Sequence, residues 1–394
     1  MENCIFVPRL MFSMKSVYLD SAATTQMREE VIDKMQEVMR NNFGNASSSH
    51  SFGRQSKSLI EASRKRIASH FNVSASEIVF TSGGTEADNL VLRSAVRDLG
   101  VIEIISSKIE HHAILHTIDQ LKAEFGIKVS YVQIEKNGHI NYDHLEQLLQ
   151  SSNKKLVSLM HINNEVGNIL DIERVAKLCK SHNTLFHSDT VQSVGHFKMD
   201  LQEIPVDYMA ASAHKFHGPK GVGFAFVRKN SGLKASIHGG SQERGLRAGT
   251  ECVHNIVGMD EALEIAYNHL ETEKAYVADL KAYFIDQLEK NLPGVHFNGI
   301  CADHDQSTYT LINVCLPFPA EKTALLQFQL DLKGIACSKG SACQSGSAKG
   351  SHVLAEILDE EQQLRPSMRF SFSSFNTKED LDYVVEVLTE FGQS

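Results

Sequence analysis

Ser212-Ala213-His214-Lys215-Phe216-His217-Gly218-Pro219-Lys220-Gly221 follows a short apolar run, Tyr208-Met209-Ala210-Ala211. The run reads as a buried strand of a parallel sheet. A lysine at the carboxyl end of such a strand sits where open α/β sheets bind their ligands. Ser212 and His214 flank it as hydrogen-bond donors, and the Gly-Pro-Lys-Gly that follows forces a tight turn. A loop lysine beside a turn is the plain reading. The chemical reading is a Schiff base between Lys215 and an aldehyde cofactor, pyridoxal phosphate (PLP), with donors nearby for its phosphate.

The chain around this stretch alternates strands and helices. Upstream, apolar runs at Val101–Ile105, Val129–Ile134, Leu156–Met160, Leu185–His187 and Val206–Ala210 are separated by helical segments, the βαβ repeat of a mostly parallel sheet. Val222–Val227 follows the Lys215 loop too closely for a helical crossover and is expected to run antiparallel. Ser82-Gly83-Gly84-Thr85-Glu86-Ala87-Asp88-Asn89 follows the strand at 77–81 and opens a helix with Ala87, Leu90, Val91 and Ala95 on its apolar face. Glycines let the backbone approach an anion, and the free first-turn N–H groups add a partial charge of roughly +0.5. The stretch lacks both the Walker lysine and the G-x-G-x-x-G spacing, so it reads as a monophosphate cup or as an ordinary N-cap.

Three further strand ends carry polar clusters: Glu110-His111-His112, His161 to Gly167, and His187-Ser188-Asp189-Thr190-Val191-Gln192. All are expected on the same sheet edge as Lys215, and four clusters on one edge make a site. PLP needs a carboxylate against its pyridinium nitrogen, and Asp189 is placed for it. Gln192 reaches for the ring oxygen, His111 stacks on the ring face, and Thr85, Ser212 and His214 offer donors to the phosphate. Arg369 lies inside an apolar strand, Met368–Phe372, where an unpaired guanidinium is costly. It is either the cation for a substrate carboxylate or half of a buried ion pair with an unidentified acid.

Composition bounds the rest. The chain has 394 residues, 42% hydrophobic and 22% charged, and so calls for a large and a smaller domain. No apolar run approaches the ~18–20 residues of a membrane span. A net charge of −9 argues against a nucleic-acid surface. Seven scattered cysteines without a C-x-x-C give neither a disulfide framework nor a zinc site, which favours a reducing cytosol. There are 19 histidines, and no pair is read at the spacing of the zinc-helix motif H-E-x-x-H, so no metal is expected. Met14 looks like a natural start, which leaves residues 1–13 as an extension without a signal-peptide core. A single long helix is expected from about Ile256 to Leu288, then short strands, a helix at 321–331 and a final helix at 377–391. Lys339 to Gly350 has nothing to bury and is expected as a mobile surface loop. It carries Cys343, a nucleophilic thiol for which an aminotransferase has no use; Cys337 reads as a buried and inert strand residue.

Thr81 to Asn89, His161 to Gly167, Ser212 to Gly221, Gly240 to Thr250 and Gly340-Ser341-Ala342-Cys343 together resemble the signatures of the cysteine desulfurases of the NifS/IscS type, in order, from about Val17 to the end. The resemblance implies a PLP-dependent α/β fold of the aspartate-aminotransferase type (fold type I). It implies a large domain over 16–256 with a mostly parallel seven-stranded sheet, and a smaller α+β domain over 257–394 with 14–20 packed on it. It implies a homodimer converting L-cysteine to L-alanine and passing sulfur through a Cys343 persulfide to an acceptor or scaffold protein, for iron–sulfur clusters or for tRNA or cofactor thiolation, in the cytoplasm. By the same resemblance Lys215 forms the Schiff base and Asp189 and Gln192 hold the ring. His111 stacks above it, and Asn164 lies beside ring and substrate. Gly84, Thr85, Ser212 and His214 form the phosphate site, Thr250 reaches the partner subunit's phosphate, and Arg369 binds the substrate carboxylate. The loop around Cys343 has the long-loop length, which suits direct delivery. The chain departs from the family pattern at Ser21 (Asn in the family), Ala46 (Pro) and Ser373-Ser374 (Gly-Arg). A selenocysteine lyase or aminotransferase of the same fold, and a non-catalytic scaffold, are the other readings.

Overall fold

The computed structural model describes residues 15–339 and 350–393. Strand β1 (Val17–Tyr18) leads into helices α1 (Glu29–Asn41) and α2 (Ser51–His70), then β2 (Ile78–Thr81) and α3 (Gly84–Arg97). There follow β3 (Glu103–Ser106), α4 (His112–Phe125), β4 (Lys128–Tyr131), α5 (Tyr142–Leu149), β5 (Lys155–Ser158), α6 (Ile172–Ser181), β6 (Leu185–Asp189), β7 (Tyr208–Ser212) and β8 (Gly223–Val227). The chain closes with α7 (Val253–Asn268), α8 (Leu270–Asn291), β9 (His296–Phe297), β10 (Leu311–Cys315), α9 (Thr323–Leu332), β11 (Ile335–Ala336), α10 (His352–Ile357), α11 (Glu360–Leu364), β12 (Ser367–Ser371) and α12 (Lys378–Gln393).

Seven strands form the main sheet in the order β2-β8-β7-β6-β5-β3-β4. Strand β8 is antiparallel to both neighbours and every other adjacent pair is parallel, as the short connection after Lys215 requires. Alternation along the strands feeds two apolar layers. Met209, Ala211, Phe224 and Phe226 pack with helices α1, α2, α6 and α7 on one face. Tyr208, Ala210 and Ala225 pack with α3 and α4 on the other. Both faces being covered, the carboxyl ends of the parallel strands are left as the open edge.

A second core gathers Phe284 and Leu288 of α8, Ile312 and Val314 of β10, Phe370 of β12, and Leu381 and Leu388 of α12. Its sheet is antiparallel, in the order β12-β10-β9. Val17 and Leu19 belong to this core as well, because β1 pairs in parallel with β11.

The long helix expected from Ile256 is two helices, with a break at His269. Ile256, Val257, Met259, Ala262 and Leu263 of α7 all lie in the first core, and α8 supplies the second from Val277 onward. The changeover of core membership therefore comes near His269, and position 256/257 falls inside α7. Helices α10 and α11 went unread in the sequence although both carry caps. Ser351 Oγ accepts from Leu354 N at 3.0 Å, and Asp359 with Gln362 forms a capping box. Residues 1–13 and Cys343 lie outside the described residues. Among the described residues no helix is long and apolar enough to cross a membrane.

Candidate active site

The loops that leave β2, β3, β5, β6 and β7 meet at the open edge of the sheet around a cavity of about 240 Å³. Gly84, Thr85, His111, Asn164, Asp189, Gln192, Ser212, His214, Lys215 and Arg369 all line it. Residues up to 285 positions apart in sequence are thus brought to one place by strand order.

Lys215 lies in a single helical turn directly after β7, and its Nζ donates to the carbonyls of Ala22 and Ala23, the latter at 2.9 Å. Gln192 Nε2 donates to the same Ala22 oxygen at 3.0 Å. The backbone turn at 20–24 therefore holds the lysine amine at the cavity wall. Asp189 ends β6, buried, with one oxygen accepting from Val191 N at 2.9 Å. Burial pushes its carboxyl up, and the Val191 N–H and Lys215 act against that shift. His111 caps α4 through Nδ1, which accepts from Ala113 N at 3.1 Å. Burial, and then the Lys215 charge, hold its imidazole down at about 4, so the ring is neutral at neutral pH.

Thr85, Ser212 and His214 also line an adjoining recess with Ser82 and Lys220. No side chain caps α3, whose first turn opens on this recess. Gly84 is required for close approach: a Cβ there would stand 2.5 Å from Val191 Cγ2. His214 Nδ1 is 3.2 Å from Thr24 Oγ1. Burial and Lys215 lower its imidazole to about 4. An uncapped helix start with hydroxyl, imidazole and lysine donors suits a monophosphate, and a buried carboxylate in the cavity wall outside that recess suits a protonated ring nitrogen. The residues present fit PLP.

Arg369 is 1% exposed. Its Nη1 donates to the Asn164 carbonyl at 2.7 Å and its Nη2 to Asp20 Oδ1 at 2.9 Å. Asp20 is the acid that the sequence left unidentified, and Ser338 Oγ also donates to it at 2.8 Å. The ion pair and the place in the cavity wall coexist, so Asp20 aims the guanidinium.

Among the described residues, one expected site residue is not in this cavity. Thr250 is exposed, on a segment held to α3 by Arg247 Nε on Glu86 Oε1 at 2.8 Å. Cys343 is outside the described residues. Cys337, just after β11, is half-buried, and burial pushes its thiol up to about 12. The departures Ser21 and Ser373-Ser374 come together, lining a small recess on the far side of Lys215. Neither Ser373 nor Ser374 bonds Arg369, whose side chain is held by Asp20 and Asn164.

Asp88, in the cavity wall, and Asp20, behind Arg369, are the carboxylates that sequence reasoning passed over. Asp88 left a signal: it shares a helix face with Val91 and Ala95, where a carboxylate has no business unless it is used. His112 and His116, four apart on α4, do have the spacing that the sequence reading denied to every histidine pair; their rings stack at 4.7 Å and His352 lies 4.6 Å from His112. Among the described residues no group of three His, Cys, Asp or Glu side chains is arranged to hold a metal ion.

The aminotransferase class-V family profile matches residues 17–384. A protein named cysteine desulfurase IscS from Dictyoglomus turgidum is 39% identical over 376 residues, 95% of this chain and 94% of that one. Among solved structures, a NifS-like protein superposes with a TM-score of 0.87 at 34% identity, covering 95% of this chain and 98% of its own. A structure described as SspA in complex with cysteine superposes with a TM-score of 0.80 at 30% identity, covering 92% of this chain and 100% of its own.

Proposed function

The chain belongs to the aminotransferase class-V family, and from that premise we propose that it is a PLP-dependent cysteine desulfurase, converting L-cysteine to L-alanine and keeping the sulfur as a persulfide on Cys343. The observation that carries the proposal is the placement of Lys215, Asp189 and Arg369 on one cavity at the carboxyl edge of the sheet. The relatives named cysteine desulfurase extend it to the substrate.

Bound in the cavity, PLP supplies an electron-withdrawing ring that stabilises negative charge at the substrate α-carbon. Asp189 would hold a proton on the ring nitrogen. Gly84, Thr85, Ser212 and His214 would hold the phosphate, and His111 and Gln192 would hold the ring. Arg369, aimed by Asp20, takes the carboxylate of L-cysteine, with Asn164 beside it. Lys215 Nζ would remove the α-proton and return one to carbon. Cys343 Sγ, as thiolate, attacks the substrate sulfur. The new S–S bond forms as the substrate C–S bond breaks, its electron pair goes to carbon and is protonated, and L-alanine leaves.

The sulfur then passes to an acceptor or scaffold protein, for iron–sulfur clusters or for tRNA or cofactor thiolation, and the setting is the cytoplasm. The main sheet with helices α1 to α7 is the cofactor-binding domain, and the second core, with β1 packed on it, is the smaller domain. The deciding experiment is product analysis: L-cysteine with a thiol reductant should yield alanine and sulfide in equal amounts. Keto-acid products in their place would make the protein an aminotransferase, and a colourless protein that takes up no PLP would make it a scaffold.

Two smaller predictions follow from the site. Replacing Arg369 with Ala removes a charge-assisted hydrogen bond to the substrate carboxylate, which contributes about 1.5–3 kcal/mol. The apparent affinity for L-cysteine should fall by on the order of 10- to 150-fold. Unchanged affinity in a folded variant would assign the carboxylate to another residue. Thr250, exposed beside the recess, completes the partner subunit's phosphate site, so light scattering in dilute solution should give twice the chain mass. A fully active monomer would remove that role.

A further inference from the structure

Asp88 is a second carboxyl in the cavity wall, and none of the roles above uses it. His187 and Asp189 are two residues apart on β6, so their side chains leave the same face of the sheet. Helix α3 packs across β6 and brings Asp88 over both. Asp88 is 1% exposed and His187 is fully buried. Asp88 Oδ1 stands 3.4 Å from His187 Nε2, within ion-pair range but not an aligned hydrogen bond, and neither atom has another partner. On the far side of the imidazole, Nδ1 is 2.9 Å from Ser158 Oγ, on the neighbouring strand. The chain of polar groups Ser158–His187–Asp88 therefore runs through the apolar layer and stops at the cavity.

Two buried carboxylates that feel each other cannot both be ionised at low cost. Asp88 is faced by Asp189 and His187 from β6 and by Glu110 from the loop after β3; Lys215 faces Asp189 from the turn after β7. Glu110 accepts from Ser107 Oγ at 2.7 Å and from Met160 N at 2.9 Å. The cation lies on the side of Asp189, and Asp88 has only an imidazole. We propose that Asp88 is a positioning residue that shares one proton with His187, making an electrically neutral pair and leaving the negative charge at the cavity floor to Asp189.

The proposal rests on the reading of Asp189 as partner of the cofactor ring nitrogen. Burial drives the Asp88 carboxyl well up and the His187 imidazole down to about 3. The shared proton therefore resides on Asp88, facing His187 Nε2 at 3.4 Å, and His187 Nδ1–H donates to Ser158 Oγ. A charged Asp88 would drive a proton onto Asp189 and cost the ring nitrogen its counter-charge. A neutral Asp88 keeps Asp189 ionised.

Infrared spectroscopy of the holoenzyme labelled with ¹³C-aspartate tests this directly. A protonated aspartic carboxyl band is expected at neutral pH in the wild-type protein and should vanish in Asp88→Asn. No such band, or a band that survives the substitution, overturns the proposal, and neither result depends on where the cofactor sits. The second measurement is the pH midpoint of the cofactor absorbance. Asp88→Asn replaces a neutral group with a neutral group of the same shape, so the midpoint should hold. A shift of about one unit or more would mean that a charge had been removed, and would overturn it too. Asp189→Asn is the control: if it leaves the cofactor spectrum unaltered, the assignment of Asp189 fails while the Asp88 band stands on its own.

Discussion

Lys215→Ala should lower alanine production from L-cysteine by on the order of 10⁴-fold, the upper range for loss of a positioned acid–base group. The amine is held by two backbone carbonyls, Ala22 and Ala23, and faces Asp189 and His111 across the cavity. Its removal creates no hole in a packed core, so the fold and the uptake of cofactor should survive. Two secondary effects have definite signs. The Lys215 charge lowers both the His111 imidazole and the Asp189 carboxyl, so both should titrate higher in the variant. In the wild-type protein, borohydride should fix the cofactor to Lys215 alone. Labelling at Lys220, on the neighbouring recess, would move the assignment, and a variant that still turned over at the normal rate would abolish it.

The comparable loss is expected from Cys343→Ser, and it separates a desulfurase from an aminotransferase. The described lining residues of the cofactor site come from the sheet edge, the 20–24 turn and β12. Cofactor absorbance and its change on adding L-cysteine should therefore persist. Serine is close in shape but far less nucleophilic toward sulfur, so alanine production should fall by on the order of 10³-fold or more. Cys337→Ser supplies the contrast. That thiol is pushed up to about 12 by burial, holds almost no thiolate at neutral pH, and its replacement should leave turnover within about a few-fold. Mass spectrometry after treatment with L-cysteine should find one added sulfur on Cys343 and none on Cys337. Normal alanine production by Cys343→Ser would replace the persulfide route with a lyase that has no covalent sulfur transfer.

Much of the site was legible because its chemistry sits in short strings at strand ends. An apolar run followed by Ser212 to Gly221, or by His187 to Gln192, states both that a buried strand ends and which polar groups it delivers. Parallel strands covered on both faces then put all such ends on one edge, and the cavity lined by Asp189, Lys215, His111 and Asn164 follows. The antiparallel turn of β8 was equally readable, since the connection after Lys215 is too short for a crossover.

What the sequence by itself determined was thus the sheet, its open edge and the residues presented there, because periodicity of two and turn chemistry are local properties. Tertiary structure alone decided the partners of buried charge and the membership of the cores. Arg369 finds Asp20 across 349 positions because β12 bridges to the turn after β1. Asp88 meets His187 because α3 happens to cross β6. The break at His269 passes unseen because both flanking helices carry apolar residues at helical spacing, and only the core each one enters tells them apart. A buried charge must be neutralised or paired, but which group does it depends on which strands become neighbours, and no window of sequence contains that.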